Sequence, residues 1–251
     1  MAAKAEEIEA LAKRRGFFWP AAQIYSPVSG FWNYGPLGTA LKNRLTDTWR
    51  AWFVKGEGAN EISTTDILPE IVWIASGHTE GFNDKQTMCT KCKNRFRADH
   101  LIEDSGKVGE KLEGLSTSEL SELLIKHDIR CPKCGGKLGE VFVFNLMFDV
   151  NVGPKGENKC YLKPETTQSS VIDFPFVYRS QRGKLPVKIA QIGKSFRNEI
   201  SPRQVFVRMR EFWMAELQVF FNPETPELPE YDDVKGTKIM LLPVELRGDK
   251  E

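Results

Sequence analysis

The stretch SFRNEISPRQVFVRMREFWMAE, Ser195–Glu216, sets four arginines and three glutamates into runs that otherwise read as strand interior. SPRQ is a turn signal between them, so the stretch predicts a β-hairpin. Before the turn, Arg197 and Glu199 are two apart and share one face. After it, Arg208, Arg210, Phe212, Met214 and Glu216 share one face, while Val205, Val207, Met209, Glu211 and Trp213 point the other way. A solvated face laced with cross-strand ion pairs is one reading. Against it, Phe212 lies on the charged face, and Glu216 sits in the apolar run WMAELQVFF, where an unpaired carboxylate is costly. A nucleotide answers the same inventory. An arginine fork clamps phosphate oxygens, a carboxylate accepts from an adenine amino group, and an aromatic face stacks on the base. A second carboxylate remains for a small cationic group, so ATP plus an amino acid fits.

The rest of the chain has mixed periodicity. Residues 5–15 read as a helix stopping at Gly16. Leu37, Leu41, Leu45, Trp49 and Trp52 recur at helical spacing behind Pro36, predicting an amphipathic helix that ends at Gly56 and Gly58. NEISTTDILP reads as one short strand. Ser116 and Glu119 have capping-box spacing ahead of Leu120, Leu123 and Leu124. EVFVFNLMFDVNVG and VKIAQIGKSFRNE are strand-like, with a helix expected between them over PETTQSSVIDFPFVYRS. The Pro-rich, acidic run from Asn222 reads as a linker, and TKIMLLPVEL as a further strand. His78, His100 and His127 are isolated and read as structural.

Cys89-x-x-Cys92 and Cys131-x-x-Cys134 are two metal half-sites. Each CxxC knuckle presents two thiolates on one side, and two knuckles complete a tetrahedral zinc site with no open coordination position, hence a structural one. Four reduced thiols, or a redox CxxC, are the alternatives. Cys160 reads as a free thiol.

In this setting the motifs are recognisable. FRNE, a loop and REF resemble motif 2 of the class II aminoacyl-tRNA synthetases. The longer AQIGKSFRNEISPRQ…VRMREFWMAE, together with RRGFFWP…GFWNYGPLGTALKN, SGHTEGFNDKQTMCTKCKNRFRADHLIE and FNLMF…YLKPETTQ, resembles the dimeric glycyl-tRNA synthetases of archaea and eukaryotes. The resemblance covers nearly the whole chain. It implies an α+β fold: a class II synthetase-like antiparallel sheet flanked by helices, with an inserted zinc-ribbon-like module and an incomplete C-terminus. Residues 1–88 would carry the motif 1 helix, 89–134 the zinc insertion, 135–221 the core with motif 2, and 222–251 a linker and a truncated segment.

It also implies roles. Arg197, Glu199 and Arg208 would be catalytic: Arg197 on the α-phosphate, Glu199 towards adenine with Asn198 between them, and Arg208 towards phosphates or ribose. The run Val207, Arg208, Met209, Arg210, Glu211 and Phe212 would complete the ATP site, Phe212 stacking on adenine. Glu165 and Glu216 would bind the glycine ammonium, with Arg97 nearby. Mg²⁺ would accompany ATP. The partners implied are glycine, tRNA(Gly) and, in the full-length form, a second copy in a homodimer. Lys163 stands where the family usually has arginine, Ser169 where it has glycine, and Trp213 where it has a smaller residue. Motif 3 is absent, so the chain is expected to be the N-terminal catalytic part, inactive or impaired without a C-terminal segment or chain. The alternative is a non-catalytic synthetase-like protein that binds or dimerises.

Composition narrows the other classes. With 251 residues and a net charge of +1 there is no global basic footprint, which argues against a zinc-ribbon nucleic-acid adaptor. The charged N-terminus has no signal-peptide core, and no run approaches the roughly 18 apolar residues of a membrane span. A cytoplasmic protein with no membrane partner is expected.

Overall fold

The fold is described from a computed structural model covering residues 4–109, 112, 114–202, 205–226 and 231–243. Helix α1 (Ala5–Arg14) stops where Gly16 takes a left-handed φ of +74°. A two-stranded ribbon follows, β1 (Phe18–Pro20) against β2 (Trp32–Tyr34). Helix α2 (Pro36–Trp49) has Pro36 in its first turn and continues as a π-helical stretch, Arg50–Gly56. A Cβ on Gly38 would lie 1.9 Å from the Phe17 carbonyl oxygen, so a missing side chain lets the helix settle on the preceding loop. Leu37, Leu41, Leu45 and Trp52 form the expected stripe, but it is exposed, Leu45 at 69% and Trp52 at 71%.

NEISTTDILP is not one strand. It divides into β3 (Asn60–Ile62) and β4 (Ile67–Pro69), which enter different sheets. The residues between are occupied elsewhere. Thr64 Oγ1 donates to Gln191 Oε1 at 2.8 Å, and Asp66 Oδ1 lies 3.1 Å from the ammonium of Lys163, a side chain only 1% exposed. Two short helices, α3 (Glu70–Ala75) and α4 (His78–Gly81), lead into the cysteine-rich region.

That region holds β5 (Asn83–Met88), β6 (Arg95–Arg97), α5 (Ala98–Asp104), α6 (Thr117–Lys126) and β7 (Phe142–Asn145). β5 is the middle strand of an antiparallel sheet in the order β6-β5-β7. Ala98, Ile102, Leu120, Leu124, Ile129 and Val141 form a core of its own. The capping box is formed: Ser116 Oγ accepts from the Glu119 N–H, and the Glu119 carboxylate accepts from the Ser116 N–H.

The chain then lays down β8 (Phe148–Val152) and β9 (Asn158–Leu162), which pair antiparallel and continue onto β4 over Trp73, Met147 and Tyr161. Helix α7 (Thr167–Ser180) precedes the long hairpin β10 (Val187–Phe196) and β11 (Glu211–Phe220), paired from Val187↔Phe220 to Phe196↔Glu211. β3 lies parallel to the other edge of β10. α7 covers this sheet through Val177, Phe174 and Tyr178 against Val187, Ile189 and Phe220. Gln191 locks the layers: its amide donates to the Thr166 carbonyl at 3.2 Å and to Ser170 Oγ at 2.7 Å.

The hairpin is confirmed, but its second strand begins at Glu211 rather than Val205. Residues 205–207 turn, with Val205 at φ +52°, so Arg208 and Arg210 stand on loop backbone and not on the strand face with Phe212. After α8 (Tyr231–Val234), residues 237–243 are irregular where a strand was expected; Val244–Leu246 lie outside the described residues.

Candidate active site

The site lies along the open end of the β10–β11 hairpin. Just past β10, the Arg197 N–H donates to the Arg210 carbonyl at 2.9 Å, and its Nε donates to the Pro164 carbonyl at 3.1 Å. Its guanidinium lies 5.3 Å from the Phe82 ring centre and 5.4 Å from that of Phe212. Two rings and one carbonyl therefore hold the group, and it has no carboxylate partner within ion-pair range among the described residues. Its outer N–H groups are left for an anion.

Among the described residues Glu199 has one ion-pair contact, Arg208 Nε at 3.7 Å, and its side chain is 14% exposed. Burial raises its pKa; the Arg208 guanidinium pulls it back, while Asp84 pushes it further up. Arg197, Glu199, Val207, Arg208, Met209 and Phe212 line one cavity of about 470 Å³, together with Tyr34, Phe206 and Trp213. That volume is within the range of small-ligand pockets. Tyr34 stacks on Phe206 with centroids 5.2 Å apart and an interplanar angle of 4°.

Two residues of the expected ATP run are held elsewhere by their side chains. The Arg210 guanidinium donates to the carbonyls of Glu199 (2.7 and 3.1 Å) and Ser29 (2.6 Å), so it fixes the loop backbone. Glu211 pairs with Lys194 at 2.6 Å. Asn198 contributes its N–H to the Leu146 carbonyl at 2.6 Å. Arg97 is saturated by carboxylates, Asp84 at 3.0 Å and Asp99 at 2.6 Å, but lines a smaller cavity with Arg208, His100, Ser201 and Pro132.

Glu165 and Glu216 meet around the start of α7. Glu216 Oε1 accepts from Thr167 Oγ1 at 2.9 Å, and Oε2 accepts from Thr166 Oγ1. Glu165 Oε1 accepts from the Gln168 amide at 2.9 Å and lies 3.3 Å from His78 Nε2. Neither carboxylate pairs with a lysine or arginine among the described residues, so their negative charge is not cancelled by a cationic side chain. Two half-buried carboxylates held by hydroxyls and an amide form a seat for a cation. Gly193 lies beside Lys163 and Thr166. A Cβ there would come within 3.4 Å of Lys163 Nζ and 3.8 Å of Thr166 Cγ2.

Sequence reasoning missed Thr166, Thr167, Tyr34, Phe206 and His78. The two threonines beside Glu165 in PETT were a readable signal, since hydroxyls next to a carboxylate at a helix start are natural donors. Nothing in the spacing of Tyr34 or His78 announces their place.

The four cysteine sulfurs lie within 4.8 Å of one another, with Cys89–Cys134 at 3.5 Å and Cys92–Cys131 at 3.6 Å. A tetrahedral zinc thiolate with Zn–S about 2.3 Å has edges of about 3.8 Å, so the set fits that ion. The Asn94 amide, donating at 3.1 Å, and the Asn94 backbone lower the Cys92 thiol to about 6. A Cβ on Gly136 would lie 3.0 Å from Cys89 Sγ and 3.3 Å from Cys134 Sγ, so the knuckle needs glycine there. Cys160 is buried in β9, outside the cluster.

The antiparallel hairpin carrying arginine, glutamate and phenylalanine, flanked by helices, gives a class II synthetase-like α+β fold. Residues 148–241 match the tRNA synthetase class II core domain family (G, H, P, S and T). Within that class the resemblance is to glycine–tRNA ligases. The chain is 49% identical over 242 residues to the enzyme of Thermococcus gammatolerans, and 47% identical over 245 residues to that of Methanocaldococcus jannaschii. These alignments cover 96% and 98% of the chain but 42% of each relative, so the chain spans less than half the length of the curated relatives it matches. The solved RNA-binding domain of threonyl-tRNA synthetase from Cryptosporidium parvum Iowa II superposes with a TM-score of 0.50 at 19% identity, covering 86% of this chain and 37% of that one; it speaks for the fold alone. No helix among the described residues is long and apolar enough to cross a membrane.

Proposed function

We propose that this chain carries the site that activates glycine with ATP for transfer to tRNA(Gly). The observation that supports it most is the presence, in one site, of an arginine held between two phenyl rings and of two carboxylates that no lysine or arginine among the described residues neutralises. ATP would lie in the cavity of Arg197, Glu199 and Phe212, its adenine on Phe212 and its α-phosphate at Arg197. The glycine ammonium would sit between Glu165 and Glu216. A glycine carboxylate oxygen then attacks the α-phosphorus, the bond to the bridging oxygen breaks, and pyrophosphate leaves with that electron pair. The carboxylate is already a nucleophile, so the chain's task is alignment and neutralisation of phosphate charge by Arg197 and Arg208. Mg²⁺ accompanying ATP would add to that neutralisation.

Arg97, Val207 and Met209 would shape the walls, and Asn198, Arg210 and Glu211 would fix the loop that carries Arg208. Zinc at Cys89, Cys92, Cys131 and Cys134 would be structural. The exposed stripe of α2 would meet a second copy in a cytoplasmic homodimer.

Calorimetry with glycyl-sulfamoyl-adenosine, a non-hydrolysable mimic whose ionised acyl sulfamate carries the negative charge of the adenylate linker, tests the reading. The chain should bind it and reject the alanyl analogue, and Arg197→Ala should weaken binding about 100-fold, the cost of one preorganised donor on the phosphoryl group. No binding by the unaltered chain would overturn the reading in favour of a non-catalytic relative.

A further inference from the structure

His78 opens α4 and reads from the sequence as a structural residue, yet its ring touches the ammonium seat. Nε2 lies 3.3 Å from Glu165 Oε1, and Nδ1 lies 2.9 Å from Ser76 Oγ. The ring is held between Trp73, 5.4 Å away, and Phe82, 5.5 Å away. Phe82 is also one of the two rings that frame the Arg197 guanidinium. The side chain is 13% exposed.

We propose that His78 is a positioning residue for the amino-acid ammonium, donating Nε2–H to Glu165 as a neutral imidazole whose tautomer is set by Ser76. The inference rests on the glycine-binding reading of Glu165. The Gln168 amide donates to Oε1, His78 Nε2 lies 3.3 Å from the same oxygen, and Oε2 has no partner among the described residues. The carboxylate is thereby turned so that one oxygen is anchored and the other is presented. Neutral donors do this without removing the charge that attracts an ammonium; an imidazolium would cancel it.

The serine decides which ring form occurs. If the Ser76 hydroxyl donates to Nδ1, the proton of the neutral ring is on Nε2 and faces Glu165. If Ser76 instead donates to the Val72 carbonyl, 2.9 Å away, Nδ1 must carry a proton to donate to Ser76. A neutral ring would then aim a lone pair at the carboxylate. Only the first arrangement joins all three groups with an uncharged ring.

Two measurements test this. Ring ¹⁵N chemical shifts of His78 at neutral pH should show the Nε2–H tautomer, and Ser76→Ala should erode that preference. A ring protonated on Nδ1, or on both nitrogens, overturns the proposal whether or not glycine binds. In parallel, His78→Ala should weaken glycyl-sulfamoyl-adenosine about ten-fold, the worth of one hydrogen bond to a charged group, while ATP affinity stays within two-fold. His78→Gln, whose amide nitrogen can reach the same carboxylate, should restore most of the loss. Equal losses for both ligands, or no rescue by glutamine in a variant with an unchanged melting curve, would overturn the positioning role. Failure of the unaltered chain to bind the analogue overturns the glycine reading instead, and the ring spectra then decide the tautomer alone.

Discussion

Glu199 shows how the site holds a charge against its surroundings. Its carboxylate is largely buried, its guanidinium contact with Arg208 is long, and its pKa is raised. A carboxylate whose folded pKa exceeds its ordinary 4.5 contributes stability that is fully present below that value and lost as pH rises through the folded value. Glu199→Gln should therefore unfold at a higher temperature relative to the unaltered chain at neutral pH than at pH 4, a difference that paired melting curves would read. The same variant should bind the adenylate mimic less well. Spacing put Arg197 and Glu199 on one strand face, but β10 ends at Phe196 and both stand on the loop beyond it, where they line one cavity. The same alternation misplaced Arg210, because it assumed an extended backbone from Val205. A positive φ at that residue breaks the period, and the guanidinium goes to the carbonyls of Glu199 and Ser29. Alternation carries no information about where a strand begins.

At the scale of elements, α2 separates what periodicity tells from what it leaves out. The repeat of Leu37, Leu41 and Leu45 located the helix and grouped its apolar side chains, but the stripe is exposed while the close contact is made by Gly38. An alanine in an exposed helix is worth about 1 kcal/mol more than glycine. At Gly38 the sign should reverse. The new Cβ would meet a backbone oxygen at 1.9 Å, and overpacking of this kind costs about 1–3 kcal/mol. Denaturant unfolding of Gly38→Ala should show a net loss, and a gain would mean that the helix start is free to move. NEISTTDILP illustrates the complementary gap: its β-branched residues alternate as in a strand, but Thr64 and Asp66 are drawn to Gln191 and to the buried ammonium of Lys163, and long-range partners of that kind leave no local signature.

Across the whole molecule, the cysteine pairs were the most legible signal, because tetrahedral ligation demands paired knuckles at fixed spacing, and the folded chain brings the four sulfurs together. With zinc as the tie between the knuckles, a strong chelator should raise amide exchange through residues 89–141 and leave β10 and β11 protected; uniform protection would argue that the module's apolar core suffices. Cobalt substitution should give the intense thiolate-to-metal absorption of a four-sulfur site.

β5 and β7 pair along Asn83↔Asn145 to Gln86↔Phe142, so the chain leaves the frame and returns to it on neighbouring strands. More than fifty residues are thus hung from a point where the backbone needs only a tight turn to close. Length, sequence and even the presence of a metal can change there without moving the ends by more than a strand spacing. The position is a natural port for exchange of parts, by drift or by design. A cavity wall is forfeited in such an exchange: Arg97, His100 and Pro132 leave with the module, and with them the lining they share with Arg208.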